Sequence, residues 1–185
     1  MIKKLTEILV NSKKVFSGGF LHVMNDTIKL PDGTLGTREW VVHGGAVAII
    51  ALTANNEIIL ERQYRHPVRQ VMLEIPAGKL ENNESSLEAA KREMHEETGY
   101  SASNWIELGT CLPCIGYSNE QITYYLATDL IAGTRKLDAG EFLDVLTMPI
   151  DECLHLAYTN QLTDSKTLAG LMLYLGHLHG LKSLV

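Results

Sequence analysis

The sequence predicts an α+β domain in which a mixed sheet packs between helices, preceded by a smaller antiparallel sheet. Three observations carry that reading. Apolar runs broken by turn residues fill 20–63, a capped amphipathic helix spans 85–98, and a second helical pattern occupies 164–181. Elements of this kind bury their apolar faces most readily by layering helix on sheet.

The elements follow in order. Residues 20–29 and 36–43 read as strands meeting across Pro31-Asp32-Gly33, where Pro presets φ and Gly accepts a positive one. Residues 46–52 and 58–63 are apolar runs flanking Asn55-Asn56, the pattern of a second hairpin. The Ser85 hydroxyl can cap a helix, and Glu88 three residues on completes a capping box. Leu87, Ala90 and Met94 give that helix an apolar stripe. Residues 105–111, 122–130 and 142–148 read as later strands. In the last helix, Leu168, Leu171, Met172, Leu175 and Leu178 are the expected buried stripe. The boundary between an N-terminal antiparallel arm (1–43) and the main domain (44–185) is expected at Gly44-Gly45.

Composition narrows the function. The chain has 185 residues, 45% hydrophobic and 21% charged, which suits one ordinary globular domain with a small arm. A formal charge of −6 argues against a nucleic-acid partner, because phosphate neutralisation needs clustered Lys and Arg. No apolar run is long enough to span a membrane, and the first residues lack the apolar stretch of a secretion signal. Three cysteines do not make a disulfide framework, so a cytoplasmic location is expected. Cys111-Leu112-Pro113-Cys114 is a lone CxxC at a strand end, which makes zinc or redox chemistry a weak reading.

The chemistry lies at the end of the first helix. In Arg92-Glu93-Met94-His95-Glu96-Glu97, the acids at 93, 96 and 97 are spaced i, i+3, i+4 and project from one helical face. Like charges there repel by a few tenths of a kcal/mol per pair. A hard-oxygen site for Mg²⁺ or Mn²⁺ would answer that repulsion, and Mg²⁺ commonly shares its shell with substrate phosphates. On the acids alone, a solvated acidic helix end competes with this reading.

The surroundings of those acids decide between the two. Gly78, five residues, Glu84, seven residues, then Arg92-Glu93-Met94-His95-Glu96-Glu97-Thr98-Gly99-Tyr100 fill every fixed position of the Nudix box. Over 78–100 the chain therefore resembles the Nudix hydrolases. That resemblance implies the α/β/α sandwich of the Nudix fold and hydrolysis of nucleoside diphosphates linked to another group. It implies Glu93 and Glu97 as metal ligands, Glu96 as a further ligand directly or through water, and the Ala77 carbonyl completing the shell. Arg92 would orient these carboxylates by charge-assisted hydrogen bonds, and Glu84 reads as structural.

The flanks choose a branch. Gln63-Tyr64-Arg65, Glu74-Ile75-Pro76-Ala77, Pro113 with Gly116-Tyr117-Ser118-Asn119-Glu120, Asp138-Ala139-Gly140-Glu141, and Leu162-Thr163-Asp164-Ser165-Lys166-Thr167 resemble the ADP-ribose pyrophosphatase branch. What that implies is a Mg²⁺-dependent enzyme, with Mn²⁺ as an alternative, that splits ADP-ribose into AMP and ribose 5-phosphate. Arg65 would bind a phosphate oxygen. Arg38 and Trp40 would bracket the adenine, although Trp40 also reads as a core or dimer-interface aromatic. Glu120 would accept from ribose hydroxyls or stand as a plain surface acid. Glu141 is the candidate base; if the true slot is Ala139, a box acid such as Glu96 must serve. The branch also implies a homodimer built through the N-terminal sheet. Hydrolysis of GDP-mannose or another nucleotide sugar is the nearer rival, and a non-hydrolytic nucleotide-binding domain the more distant one.

Overall fold

The computed structural model describes residues 4–137 and 139–181, so Asp138 of the late acidic motif lies outside the described residues. The chain divides into two compact units, Met1–Gly44 with Cys114–Gln121, and Gly45–Pro113 with Ile122–Val185.

The first unit is a three-stranded antiparallel sheet ordered β1-β2-β3, with β1 at Ile8–Ser17, β2 at His22–Lys29 and β3 at Leu35–Val42. The Asp32 carboxylate accepts from the Thr34 backbone (3.0 Å) and hydroxyl (2.6 Å), closing the β2–β3 turn. Strand β1 is absent from the sequence reading because two register shifts, at Leu9/Asn11 and Lys14/Phe16, break its alternation. Residues 114–121 join this unit through Val41, whose N–H donates to the Tyr117 carbonyl at 2.8 Å. Ile8, Val10, Phe16 and Phe20 are all more than half exposed.

The second unit is built on β4 (Ala46–Ala51), whose six residues are all buried, as a strand covered on both faces must be. The other strands are β5 (Glu57–Arg65), β6 (Gln70–Glu74), β7 (Ala77–Lys79), β8 (Tyr100–Cys111), β9 (Ile122–Ala132) and β10 (Leu143–Pro149). One sheet runs β7-β4-β9-β8, with β4 and β9 parallel; a second, antiparallel, runs β10-β5-β6. Helix α1 (Ser86–Glu93) packs Ala89 and Ala90 with Val47, Ile49 and Tyr125. On the opposite face, α2 (Ile150–Tyr158) and α3 (Ser165–Leu178) pack with Ile50, Leu60 and Tyr124. This is the α/β/α sandwich of an α+β fold.

Two expectations need correction. The runs around Asn55-Asn56 do not form a hairpin ladder. They share one isolated bridge, Leu52↔Ile58, and then diverge, β4 into one sheet and β5 into the other. Both strands carry apolar runs, 46–51 and 58–60, which local pattern cannot separate from a paired hairpin. The buried face of α3 is Thr167, Gly170, Leu171 and Tyr174, while Leu168, Met172 and Leu178 are exposed. The helix lies on the sheet through Gly170, close to Ile75 and Ile50, so its larger apolar residues point elsewhere. Helix α2 carries no strong cap and was not legible. No helix among the described residues is long and apolar enough to cross a membrane.

Candidate active site

The site is organised by α1 and its continuation. Ser85 caps the helix as the sequence indicates, with the Glu88 N–H donating to its hydroxyl at 3.3 Å and its own N–H donating to Glu88 at 2.9 Å. The α-helix ends at Glu93 and continues as a π-helical turn, Met94–Thr98. Such wide turns recur at functional sites. Here the turn modifies the expected single acidic face. Glu97 swings into the interior and is 5% exposed, while the Glu93 and Glu96 side chains are 14% and 30% exposed. Gly99 closes the turn at φ 78°. A Cβ there would stand 2.7 Å from the Arg135 nitrogen, so only glycine lets the chain between β9 and β10 approach.

Arg92 gathers the box acids. It bonds Glu84 through Nε (2.9 Å) and Nη2 (3.0 Å), Glu93 and Glu96 through Nη1 (2.9 and 3.0 Å), and the Lys79 carbonyl through Nη2 (3.0 Å). The Glu84 bonds, first among these, hold Arg92 firmly in its charged form. Against Glu93 lies Gly78. A Cβ at that position would meet the Glu93 carboxyl carbon at 1.8 Å and Oε1 at 1.9 Å. The glycine is thus the wall of a carboxylate cradle.

Glu97 reaches back to β7, where the Ala77 N–H donates to its Oε2 at 3.0 Å. Burial pushes Glu97 up to about 9, and the charges of Glu61 and Glu93 push the same way. Glu61, on β5, is 3% exposed and its Oε1 has no hydrogen-bond partner; burial pushes it up to about 8. Glu141, in the segment before β10, adds a further negative charge felt by Glu61, Glu93 and Glu97.

A second network stands beside these acids. Arg65 bonds Glu74 through Nε (2.8 Å) and Nη2 (2.7 Å), a two-pronged geometry suited to a guanidinium. Lys166, at the start of α3, bonds Glu74 and also Asp164 (3.0 Å). Burial works to raise Glu74, but the bonds from Arg65 and Lys166 outweigh it and hold the carboxyl below its ordinary range. Asp164 caps α3 through Thr167, whose hydroxyl accepts from the Ile75 N–H at 2.9 Å. That chain of bonds ties α3 to the strand entering the box.

The remaining sequence candidates belong to the first unit. Trp40, on β3, donates its indole N–H to Asp26 at 2.8 Å, which fixes the ring. Arg38 is exposed and pairs with Glu7. Glu120 stands 3.7 Å from His43.

Comparison with known proteins fits this arrangement. Residues 42–170 match the model of the NUDIX domain. The chain belongs to the Nudix family. It is 34% identical over 168 residues to the ADP-ribose pyrophosphatase of Bacillus subtilis, covering 90% of this chain and 91% of that one. It is 37% identical over 169 residues to the methanol dehydrogenase activator of Bacillus methanolicus, covering 90% and 91%. In fold it is similar to a solved ADP compounds hydrolase, with a TM-score of 0.86, 22% identity and coverage of 95% and 96%. This Nudix protein is accordingly an enzyme, a hydrolase acting on pyrophosphate bonds.

The Nudix site suits a divalent cation by its donor set. It combines an unpartnered buried oxygen on Glu61, a carboxylate cradled on glycine, and buried Glu97 with Glu141 in electrostatic reach. Among the described residues no three His, Cys, Asp or Glu side chains already converge at ligand geometry. Arg92 draws Glu93 and Glu96 to itself.

Sequence reasoning passed over Glu61, and gave Glu74 and Lys166 no role. Glu61 did carry a signal, since it lies two residues from Ile59 on the same inward face of β5. The Glu74–Lys166 pair joins residues 92 positions apart, and no local pattern announces it.

Proposed function

We propose that this protein is a Mg²⁺-dependent pyrophosphatase of nucleoside diphosphate sugars, with ADP-ribose as the favoured substrate and AMP and ribose 5-phosphate as products. The observation that carries this reading is the buried carboxylate of Glu97 next to the glycine-cradled Glu93, with Arg92 holding Glu93 and Glu96 in place.

Glu93, Glu97 and the Ala77 carbonyl would hold the cation, with Glu96 a further ligand directly or through water. All are hard oxygens of the kind Mg²⁺, or Mn²⁺, prefers. When bound, the cation neutralises the diphosphate and lowers the pKa of a coordinated water. Arg65, its fork fixed by Glu74, binds a phosphate oxygen. Glu141 takes the proton of the attacking water. It lies outside the box, so a base there leaves the ligands free to stay ionised.

The first unit supplies recognition and assembly in this reading. Residues 1–43 form a dimerisation arm. Its strand β1 is exposed along its whole length and carries Ile8, Val10 and Phe16, and small sheets with uncovered apolar surface are marginal alone. Trp40 and Arg38 stack on the adenine, and Glu120 accepts from ribose hydroxyls. The pinning of the Trp40 indole by Asp26 supports a preset stacking surface. The −6 charge accords with a small-molecule partner in the cytoplasm and with no nucleic-acid partner.

The choice of ADP-ribose draws on the Bacillus subtilis relative. A second reading, in which the chain serves a partner enzyme and hydrolysis is secondary, draws on the name of the Bacillus methanolicus relative. The complete set of Arg92, Glu93, Glu96 and Glu97 favours hydrolysis. The test is a panel of ADP-ribose, ADP-glucose, GDP-mannose and UDP-glucose, each with Mg²⁺ and with EDTA. A kcat/KM highest for ADP-ribose and abolished by EDTA supports the reading. Preference for GDP-mannose moves the protein to that substrate, and no turnover of any member overturns it.

A further inference from the structure

Glu61 is a buried carboxyl group that the proposed mechanism does not use. It lies on β5 between Leu60 and Arg62, on the inward face with Ile59. Its Oε1 is sealed from solvent and has no hydrogen-bond partner. Buried polar atoms in folded chains are nearly always satisfied, so each exception points to something that completes it.

Nothing among the described residues completes this one. The two cations whose fields reach Glu61 are Lys166 and Arg65. The Lys166 ammonium is bonded to Glu74 and Asp164, and the Arg65 guanidinium to Glu74. Directly across the strand pair stands Glu74, a like charge that is unfavourable in that register. The remaining neighbour is Glu97, on which Glu61 exerts the largest effect of any single charge.

We propose that Glu61 is a further ligand of the divalent cation, with Oε1 as its donor atom, acting from β5 beside Glu97 and outside the Nudix box. This inference rests on the reading of Glu93 and Glu97 as cation ligands. A cation supplies what the side chains do not: a positive centre able to bring Glu61 and Glu97 together without mutual repulsion. The box motif alone would then underestimate the ligand set of this chain, because its fourth carboxylate comes from a strand rather than from the loop–helix segment.

The test is direct cation binding, with Mn²⁺ as probe and free Mn²⁺ read by electron paramagnetic resonance. Wild type, Glu61→Gln, Glu61→Leu and Glu97→Gln are titrated in parallel, and the melting temperature of each is recorded with and without Mn²⁺. Glu61→Gln is expected to weaken Mn²⁺ binding by about tenfold or more, or to lose one bound ion. It is also expected to raise the melting temperature of the metal-free protein at pH 9, where a buried ionised carboxylate is replaced by a neutral amide. Should Glu61→Gln fold poorly, Glu61→Leu, which removes both donor oxygens and leaves no buried polar atom, gives the same reading. Wild-type affinity and stoichiometry in either folded variant overturns the proposal. Loss of binding in Glu97→Gln with retention in Glu61→Gln overturns this inference alone, whereas a wild type that binds no Mn²⁺ overturns the underlying reading with it.

Discussion

The Glu93 carboxylate occupies the space that a side chain at Gly78 would fill, the carboxyl carbon lying 1.8 Å from the position of a Cβ there. Gly78→Ala must therefore displace Glu93 or shift the strand that carries residue 78. If Glu93 holds the cation, the variant loses metal affinity by roughly 10–100-fold, the range seen when ligand-positioning groups are lost. Its folding stability falls by about 1–3 kcal/mol, as for other overpacked sites. Calorimetric metal titration and urea unfolding measure the two. Unchanged metal affinity would remove Glu93 from the ligand set.

Glu141→Gln tests the proton acceptor. A general base contributes roughly 10²–10⁴-fold, so kcat is expected to fall within that range while metal affinity holds. A fall smaller than about tenfold, with Glu96→Gln proving more damaging, would transfer the role to the box.

Metal-free protein should lose stability as pH rises. Burial pushes Glu61 up to about 8 and Glu97 up to about 9, against ordinary values of 4.5. Both folded values exceed the unfolded ones, so the folded chain binds more protons across that window. The corresponding stability is complete below 4.5 and is lost as pH climbs through 8 and 9. Melting curves in EDTA at pH 6 and pH 9 should differ by several degrees, at ~2–4 °C per kcal/mol for a chain of this size. Mg²⁺ should shrink the difference, since the cation replaces the protons. A flat profile in EDTA would mean that these acids are not buried together.

Trp40→Ala probes the first unit. If the indole stacks on the base, KM for ADP-ribose rises about 10–100-fold, matching stacking energies of roughly 1–3 kcal/mol, and kcat changes little. Light scattering on the same samples should report a dimer. An unchanged KM in a monomer would make Trp40 a packing residue held by Asp26.

How much of this was legible in sequence depended on the range of the interaction. The Ser85–Glu88 capping box and the turn at Asp32 are set by neighbours within three residues and were read directly. The acidic triplet was also visible, but the π-helical turn that sends Glu97 inward was not, because nothing in Met94–Thr98 separates it from ordinary helix. The buried face of α3 was misplaced because apolar spacing marks which residues are greasy and not which side meets the sheet. Of the candidate site, the box arginine and acids are local and could be named. Glu61 and the Arg65–Glu74–Lys166 network depend on strand register and on contacts 92 residues apart, which only folding brings about.

The central claim is metal-dependent hydrolysis of a nucleotide-sugar diphosphate, and product identification tests it most directly. Purified protein is incubated with ADP-ribose in Mg²⁺, in EDTA, and with Glu97→Gln in place of wild type, and the products are identified by mass. Wild type with Mg²⁺ should yield equal amounts of AMP and ribose 5-phosphate. EDTA should stop the reaction, and Glu97→Gln should slow it by several orders of magnitude, as expected when charge stabilisation by a bound cation is lost. Intact ADP-ribose after incubation with wild type and Mg²⁺, or equal turnover by Glu97→Gln, would contradict the account.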